Sequence, residues 1–201
     1  YKMQHMFKDS KKVDAVIVYS PPLPLSFVGM WVKRKWQEKF IFNVQDLFPQ
    51  NAIDLGVIKN PKVMIFFRWM ERFSYQKADI VTTHSAGNQA LLLRYHSFMK
   101  NKCVVLHNWV DIAAYHDVTT KKNFRDLYQL NNKFVAVFAG VIGPSQHLEI
   151  LIDAARKLNH LSDLCILIVG DGTEKKKLET KVAQYHLQNV IFKPFVGRDD
   201  Y

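Results

Sequence analysis

The chain has 201 residues, enough for one large or two small domains, and its 48% hydrophobic and 13% aromatic content excludes a disordered chain. A formal charge of +10 calls for an anionic partner: nucleic acid, an anionic membrane surface or a phosphate-bearing substrate. The sequence carries no helix-turn-helix, zinc-finger or aromatic RNA-binding signature, which sets nucleic acid aside.

The opening, YKMQHMFKDSKKVDAVIVY, has no initiator Met and no signal-peptide layout, and reads as the tail of a helix entering a strand. The chain is therefore expected to begin within a domain. Short runs rich in Val and Ile at 15–19, 40–44, 79–83, 102–106, 134–139, 164–169 and 190–192 predict strands buried on both faces of a parallel sheet. Helical patterns fall between them at 25–37, 61–77, 86–96, 148–158 and 174–185. This βαβα order predicts an α/β fold with helices on both faces of parallel sheets. No apolar run reaches membrane-spanning length.

The first strand ends in Ser20-Pro21-Pro22, where two residues without an N–H predict a turn. The helix that follows closes in MWVKRKWQEKF, with Trp31 and Trp36 interleaved among Lys33, Arg34, Lys35 and Lys39. That pattern fits a solvated basic helix end first, and it also fits an anchor to an anionic membrane surface. The second strand ends in Gln45-Asp46, a polar pair costly to bury unless something uses it. Asp46 either caps the following turn or faces a ligand.

Asn60 and Pro61 suit the cap and first turn of the next helix, whose residues are apolar almost all round, as in a helix sandwiched between layers or covering an interface. His84 ends the third strand beside Ser85, an ordinary N-cap. Cys103 and Cys165 lie in apolar runs and read as buried thiols of a reducing compartment; neither they nor the eight histidines show metal-ligand spacing, so no metal is expected. Regular alternation lapses over a polar segment containing TTKKN and a short helical piece at 124–130. The predicted organisation is a domain over 1–111, a linker over 112–132 and a second domain over 133–201.

The second domain opens with KFVAVFAGVIGPSQHLEILIDAARKL, a strand, a glycine turn and a helix expected to begin near Gln146. Gly140 and Gly143 would let backbone approach a ligand, and a helix N-terminus would offer unpaired N–H groups, both suited to phosphate. The spacing is not G-x-G-x-x-G, so a dinucleotide site is not indicated. The next strand ends in Gly170-Asp171-Gly172 before another helix. Two such turns at the carboxyl ends of adjacent parallel strands would border one crevice, the place where open α/β sheets bind ligands.

FAGVIGPSQHLEILIDAARKL, followed by LIVGDGTEKKKLE and VIFKPFV, resembles the nucleotide-sugar-binding half of a retaining family 4 glycosyltransferase of GT-B architecture. ADIVTTHSAGNQALL and KCVVLHNWVD resemble the stretch where that family's first domain hands over to its second, and VQDLFPQNAIDLGVIKN is most similar to the N-acetyl-L-fucosamine transferase branch of surface polysaccharide synthesis. The resemblance implies two Rossmann-like domains, both incomplete here, facing across a cleft. It implies a nucleotide-sugar donor, uridine-linked, and a lipid-linked (polyprenyl) glycan acceptor, at the inner, cytoplasmic face of an anionic membrane and without a cofactor or obligatory metal.

On this resemblance Asp46 and Gln45 are the catalytic candidates, with Asp46 orienting an acceptor hydroxyl or the sugar. Gly140, Gly143, Gln146, His147, Gly170, Asp171 and Gly172 would bind the donor, with Lys193, Pro194, Phe195 and Val196 near its base; Ser20, Pro21 and His84 would lie on the acceptor side. Departures are plain. Val141 and Gln146 stand where many relatives carry Arg and Lys, and neither the family's N-terminal glycine loop nor its downstream glutamate pair is in the sequence. An incomplete, inactive internal fragment is therefore expected. A GT-B nucleotide-sugar epimerase and a non-enzymatic two-domain binding protein are the rival readings.

Overall fold

The computed structural model describes residues 13–112, 124–195 and 197. It divides the chain into two compact units, residues 1–111 and 112–201.

The first unit runs β1 (Ala15–Ser20), α1 (Leu25–Trp36), β2 (Lys39–Val44), α2 (Gln50–Asp54), α3 (Pro61–Lys77), β3 (Ile80–Thr83), α4 (Ala86–Tyr95), a 3₁₀ turn (Ser97–Met99) and β4 (Cys103–Val105). The four strands form one parallel sheet in the order β1-β2-β3-β4. The strand residues in its core are Val18, Phe40, Phe42, Val44, Val81 and Cys103, all of which share one face by register. Leu23, Met70, Tyr75, Leu92 and Met99 pack against them. Phe40 and Phe42 are fully buried, each contributing about 1.5–3 kcal/mol of apolar transfer. Gly29 brings α1 down on this layer; a Cβ there would stand 2.4 Å from the Phe40 ring.

Helices were expected on both faces of the sheet. Among the described residues of this unit the apolar core lies on one face, while on the other Ile17, Tyr19 and Val104 are exposed and only Asn43 and Thr82, at its centre, are buried. The cause is the strand order: each connection steps the same way across the sheet, and right-handed crossovers then deliver every helix to the same side.

Two ends of α3 are fixed by side chains. Asn60 Oδ1 accepts the Lys62 N–H at 2.9 Å, the predicted cap. At the other end Lys102 Nζ donates to the carbonyls of Tyr75 and Ala78 at 2.6 and 2.7 Å, serving acceptors that the helix leaves unpaired. Of the two expectations for this helix, sandwiched between layers or covering an interface, the first is corrected. Met70, Glu71, Ser74 and Tyr75 face the core, while Ile65, Phe66 and Trp69 are 69%, 50% and 54% exposed.

The second unit runs α5 (Phe124–Leu127), β5 (Phe134–Ala139), a 3₁₀ turn (Pro144–Gln146), α6 (Glu149–Lys157), β6 (Leu164–Val169), α7 (Lys175–Gln184) and β7 (Val190–Lys193), with a parallel sheet in the order β5-β6-β7. Ile166, Ile168 and Val190 pack against Ile142, Leu148, Ile152, Ala155 and Leu178. On the opposite face Cys165, Leu167 and Val169 pack against Leu130, with Tyr128 alongside. The last residues of the predicted linker thus contribute to the core of the second unit. Both cysteines are buried free thiols, and burial pushes each thiol above its ordinary pKa.

Candidate functional site

The expected donor-side residues gather at the carboxyl ends of β5, β6 and β7, where register aligns Ala139, Val169 and Lys193. The turns beyond them are joined backbone to backbone. Gly140 N–H donates to the Val169 carbonyl at 3.0 Å, Ile142 N–H to that of Asp171 at 2.8 Å, Gly170 N–H to that of Lys193 at 3.1 Å, and Glu174 N–H to that of Ile142 at 3.1 Å.

This contact explains two glycines. Gly170 has φ +146°, and a Cβ on it would sit 1.9 Å from the Gly140 carbonyl oxygen; Gly172 has φ +155°, and its Cβ would sit 2.2 Å from that of Ile142. The sequence suggested that these glycines admit a ligand. The geometry shows that they admit the neighbouring turn.

Gly143 lies outside this requirement, since a Cβ there would be 3.2 Å from Gln146 Oε1, the end of a flexible side chain. The helix expected to begin near Gln146 begins at Glu149 instead. Pro144 opens a 3₁₀ turn, His147 adopts left-handed φ of 48°, and Leu148 caps α6 without a side-chain hydrogen bond. His147 is therefore a junction between two helical pieces rather than a helix start. Gln146 and His147 are both exposed, and Ser145 Oγ donates to Gln146 Oε1 at 3.0 Å.

Asp171 Oδ1 accepts the Gly172 N–H at 2.8 Å, bracing the turn. Lys175 Nζ reaches the Gly170 carbonyl at 3.3 Å, a cation beside the turn that the sequence reading did not single out although GDGTEK places it five residues on. Lys193 Nζ stands 4.5 Å over the Tyr128 ring, and Pro194 and Phe195 are exposed. Val196 lies outside the described residues. At the start of α6, Lys177 and Lys181 hold the Glu149 carboxylate at 2.6 and 2.8 Å and push its pKa down to about 2.

In the first unit, register aligns Ser20, Val44, Thr83 and Val105 in one row. The residues just beyond are Pro21, Gln45-Asp46, His84 and Leu106-His107, so the expected catalytic and acceptor-side positions share one edge of one sheet. The buried Ser20 carbonyl accepts the Gln45 N–H at 3.0 Å. Gln45 Nε2 donates to Asn43 Oδ1 at 2.9 Å. Asp46 is exposed; its own carbonyl accepts the Phe48 N–H at 2.9 Å, and among the described residues its carboxylate accepts no hydrogen bond. The capping role weighed from sequence therefore has no contact behind it.

Ser85 Oγ caps α4 by accepting the Asn88 N–H at 3.2 Å, as expected. His84 has Nε2 3.3 Å from Asn88 Nδ2, its carbonyl 2.9 Å from His107 Nδ1, and a buried Nδ1 without a partner. Asn43 and Thr82, buried polar residues in the strands beneath, were passed over because apolar runs hide single polar positions. No cluster of potential metal ligands occurs among the described residues.

Residues 2–109 match the family described as Glycosyl transferase 4-like domain, and residues 120–201 match that described as Glycosyl transferases group 1. The chain belongs to the glycosyltransferases of the 4-like family. It is 29% identical over 167 residues to the Escherichia coli (strain K12) protein named a colanic acid biosynthesis glycosyl transferase, WcaI, covering 79% of this chain and 40% of that one. It is 27% identical over 117 residues, 58% of this chain and 30% of the other, to a Campylobacter jejuni diphospho-undecaprenol 4-alpha-N-acetylgalactosaminyltransferase. Anabaena Alr3699/HepE, solved in complex with UDP, superposes with a TM-score of 0.71 at 17% identity over 98% of this chain and 51% of that one, a likeness of fold, here GT-B. The chain spans about half or less of the length of these relatives.

Proposed function

We propose that this chain supplies the donor-side and acceptor-side turns of a retaining glycosyltransferase. The enzyme moves a sugar from a uridine diphosphate donor to a polyprenyl-linked glycan in envelope polysaccharide synthesis, at the inner face of the membrane. Within the family, the reading favours the N-acetyl-L-fucosamine transferase branch, on the VQDLFPQNAIDLGVIKN stretch. One observation carries it: two glycine turns, 140–143 and 170–172, are locked together at the carboxyl ends of adjacent parallel strands. That is where open α/β sheets bind ligands. The relatives add support, one acting on a diphospho-undecaprenol substrate and another solved with UDP.

In this mechanism the diphosphate lies along the 140–143 turn and the start of α6. Lys175 supplies positive charge beside the turn, in place of the Arg and Lys absent at Val141 and Gln146. The exposed side chains of Ser145, Gln146 and His147 supply further donors to the anion cradle. In the first unit Asp46, with Gln45 held by Asn43, orients the acceptor hydroxyl beside Ser20, Pro21 and His84. The hydroxyl oxygen bonds to the anomeric carbon on the face from which the diphosphate leaves, as the bond from that carbon to the diphosphate oxygen breaks and the hydroxyl proton passes to the departing diphosphate, so the anomeric configuration is kept. No metal takes part in this reading.

The test is UDP release by the full-length protein from a panel of uridine diphosphate sugars, with and without polyprenyl-diphosphate-linked glycan. Acceptor-dependent release with retained configuration in the product is expected. Epimerised donor without acceptor, or binding with no turnover of any donor, would overturn the reading.

A further inference from the structure

The outer faces of α1 and α3 form one surface that the site does not use. Along α3, Phe66 and Trp69 have ring centroids 6.2 Å apart, Trp69 stacks on Phe73 at 5.6 Å, and Phe73 meets Phe27 of α1 at 6.2 Å. Farther along α1, Trp31 and Trp36 pack edge to face at 6.0 Å. A groove of about 840 Å³ runs between the helices, lined by Phe27, Met30, Trp31, Arg34, Phe73 and Lys77 among others.

Charge distinguishes this face from an ordinary protein interface. The two helices carry seven basic residues and a single acid, Glu71, which is buried; Lys33 turns to Asp79, Arg68 to Gln50 and Arg72 over Phe98, which leaves Arg34, Lys35, Lys62 and Lys77 to this face. Lys35 Nζ lies 5.2 and 4.4 Å over the rings of Trp31 and Trp36, and Lys77 Nζ 5.4 Å over that of Phe73. Cations at the rim of an exposed aromatic ladder are the arrangement of a helix lying in a headgroup layer: rings at the acyl boundary, ammonium and guanidinium groups among phosphates. A protein partner's core would instead be depleted of Lys. No described helix is long and apolar enough to cross the bilayer, so contact through this face is interfacial.

We propose that α1 and α3 together form a monotopic docking surface for an anionic bilayer, with Phe66, Trp69 and Phe73 as the inserted edge and Arg34, Lys35 and Lys77 as the headgroup contacts. This deepens the membrane-side reading above and rests on it only in expecting a lipid-linked acceptor. Lys33 is not among the contacts, because it is spent on Asp79 inside the fold.

The experiment is flotation of the full-length protein with phosphatidylcholine vesicles, with and without phosphatidylglycerol; it needs no sugar transfer, so it fails independently of the enzymatic reading. Wild type is expected to float with the anionic vesicles. Phe66→Ser combined with Trp69→Ser, at exposed positions where the fold is retained by circular dichroism, is expected to reduce binding about tenfold at high salt. Arg34→Glu with Lys35→Glu should reduce it about tenfold at low salt. Wild type that stays with the lipid-free fraction, or variants that float equally well, would overturn the proposal. So would self-association that the Phe66/Trp69 variant abolishes in the absence of vesicle binding, which assigns the face to a second copy.

Discussion

Lys33 Nζ donates to Asp79 Oδ1 at 2.8 Å and to the Lys77 carbonyl at 3.1 Å, while Asp79 Oδ2 accepts the Phe40 N–H at 2.8 Å. Three elements, α1, β2 and the end of α3, meet in this pair. Partial burial pushes the Asp79 carboxyl up, but the hydrogen bonds from Lys33 and from the Phe40 amide outweigh it and leave the pKa below its ordinary 3.8.

Asp79→Asn is expected to cost about 1–2 kcal/mol in urea unfolding at neutral pH. Because the folded pKa is depressed, the stabilisation is present above the ordinary carboxyl pKa and lost as pH falls through the folded value. The gap between wild type and variant should close on acidification. A gap independent of pH would show that the pair contributes only through its neutral hydrogen bonds.

Tyr75, Glu71 and His96 form a buried polar group under α3, with the Tyr75 hydroxyl donating to Glu71 Oε1 at 3.1 Å and His96 Nε2 3.6 Å from Glu71 Oε2. Burial, and after it the Glu71 charge, push the Tyr75 hydroxyl well above its ordinary 10.0. The folded state thus keeps a proton that the unfolded chain gives up, so stability declines as pH rises past 10.0. Tyr75→Phe should cost about 1–3 kcal/mol near neutrality, by orphaning a buried acceptor, and should flatten the alkaline decline. An equally steep decline in the variant would place the responsible group elsewhere.

Gly170→Ala and Gly143→Ala separate the two kinds of glycine in the second unit. The first drives a Cβ into the Gly140 carbonyl from a φ of +146°, and should cost about 3 kcal/mol or more. The second meets only the end of Gln146 and should stay within about 1 kcal/mol. Thermal unfolding of the two variants, compared directly, decides it; equal losses would mean that the turns are not held as described.

Asp46→Asn tests the proposed acceptor role. Its carboxylate has no hydrogen bond to lose among the described residues, so stability should be unchanged. Turnover by the full-length enzyme should fall about tenfold or more, with kcat and kcat/KM falling together. UDP affinity, read by calorimetry, should be unaffected. Normal turnover would reduce Asp46 to an ordinary loop residue.

The seven strands were legible as short unbroken runs of Val, Ile and Phe, and their bounds shift by no more than one residue at either end, but burial on both faces fails for β1 and β5, which leave Ile17, Tyr19, Phe134 and Val137 exposed. The caps at Asn60 and Ser85 were legible for the same reason: their chemistry is local. Non-local chemistry was hidden. Gly170 and Gly172 read as ligand glycines because nothing in GDG announces a second backbone 1.9 Å from a missing Cβ. Lys33 read as one of a basic run, solvated or facing lipid, because its partner Asp79 is 46 residues away. That the described helices of the first unit share one side of its sheet follows from strand order, which periodicity does not encode. The short α2 was missed because Pro49 and Gly56 bracket a stretch too brief to show a helical period.

The interlocked turns of the second unit impose a division of labour. Their main chains hold one another, so the frame is indifferent to which side chains stand outside it. Val141, Ser145, Gln146, His147 and Thr173 are all exposed along that frame, beside Asp171, whose carboxylate braces it. Diversification can therefore act on these five positions while the plate beneath stays the same. A change of sugar preference would then be expected as a short cluster of surface exchanges here, with both GDG glycines left untouched.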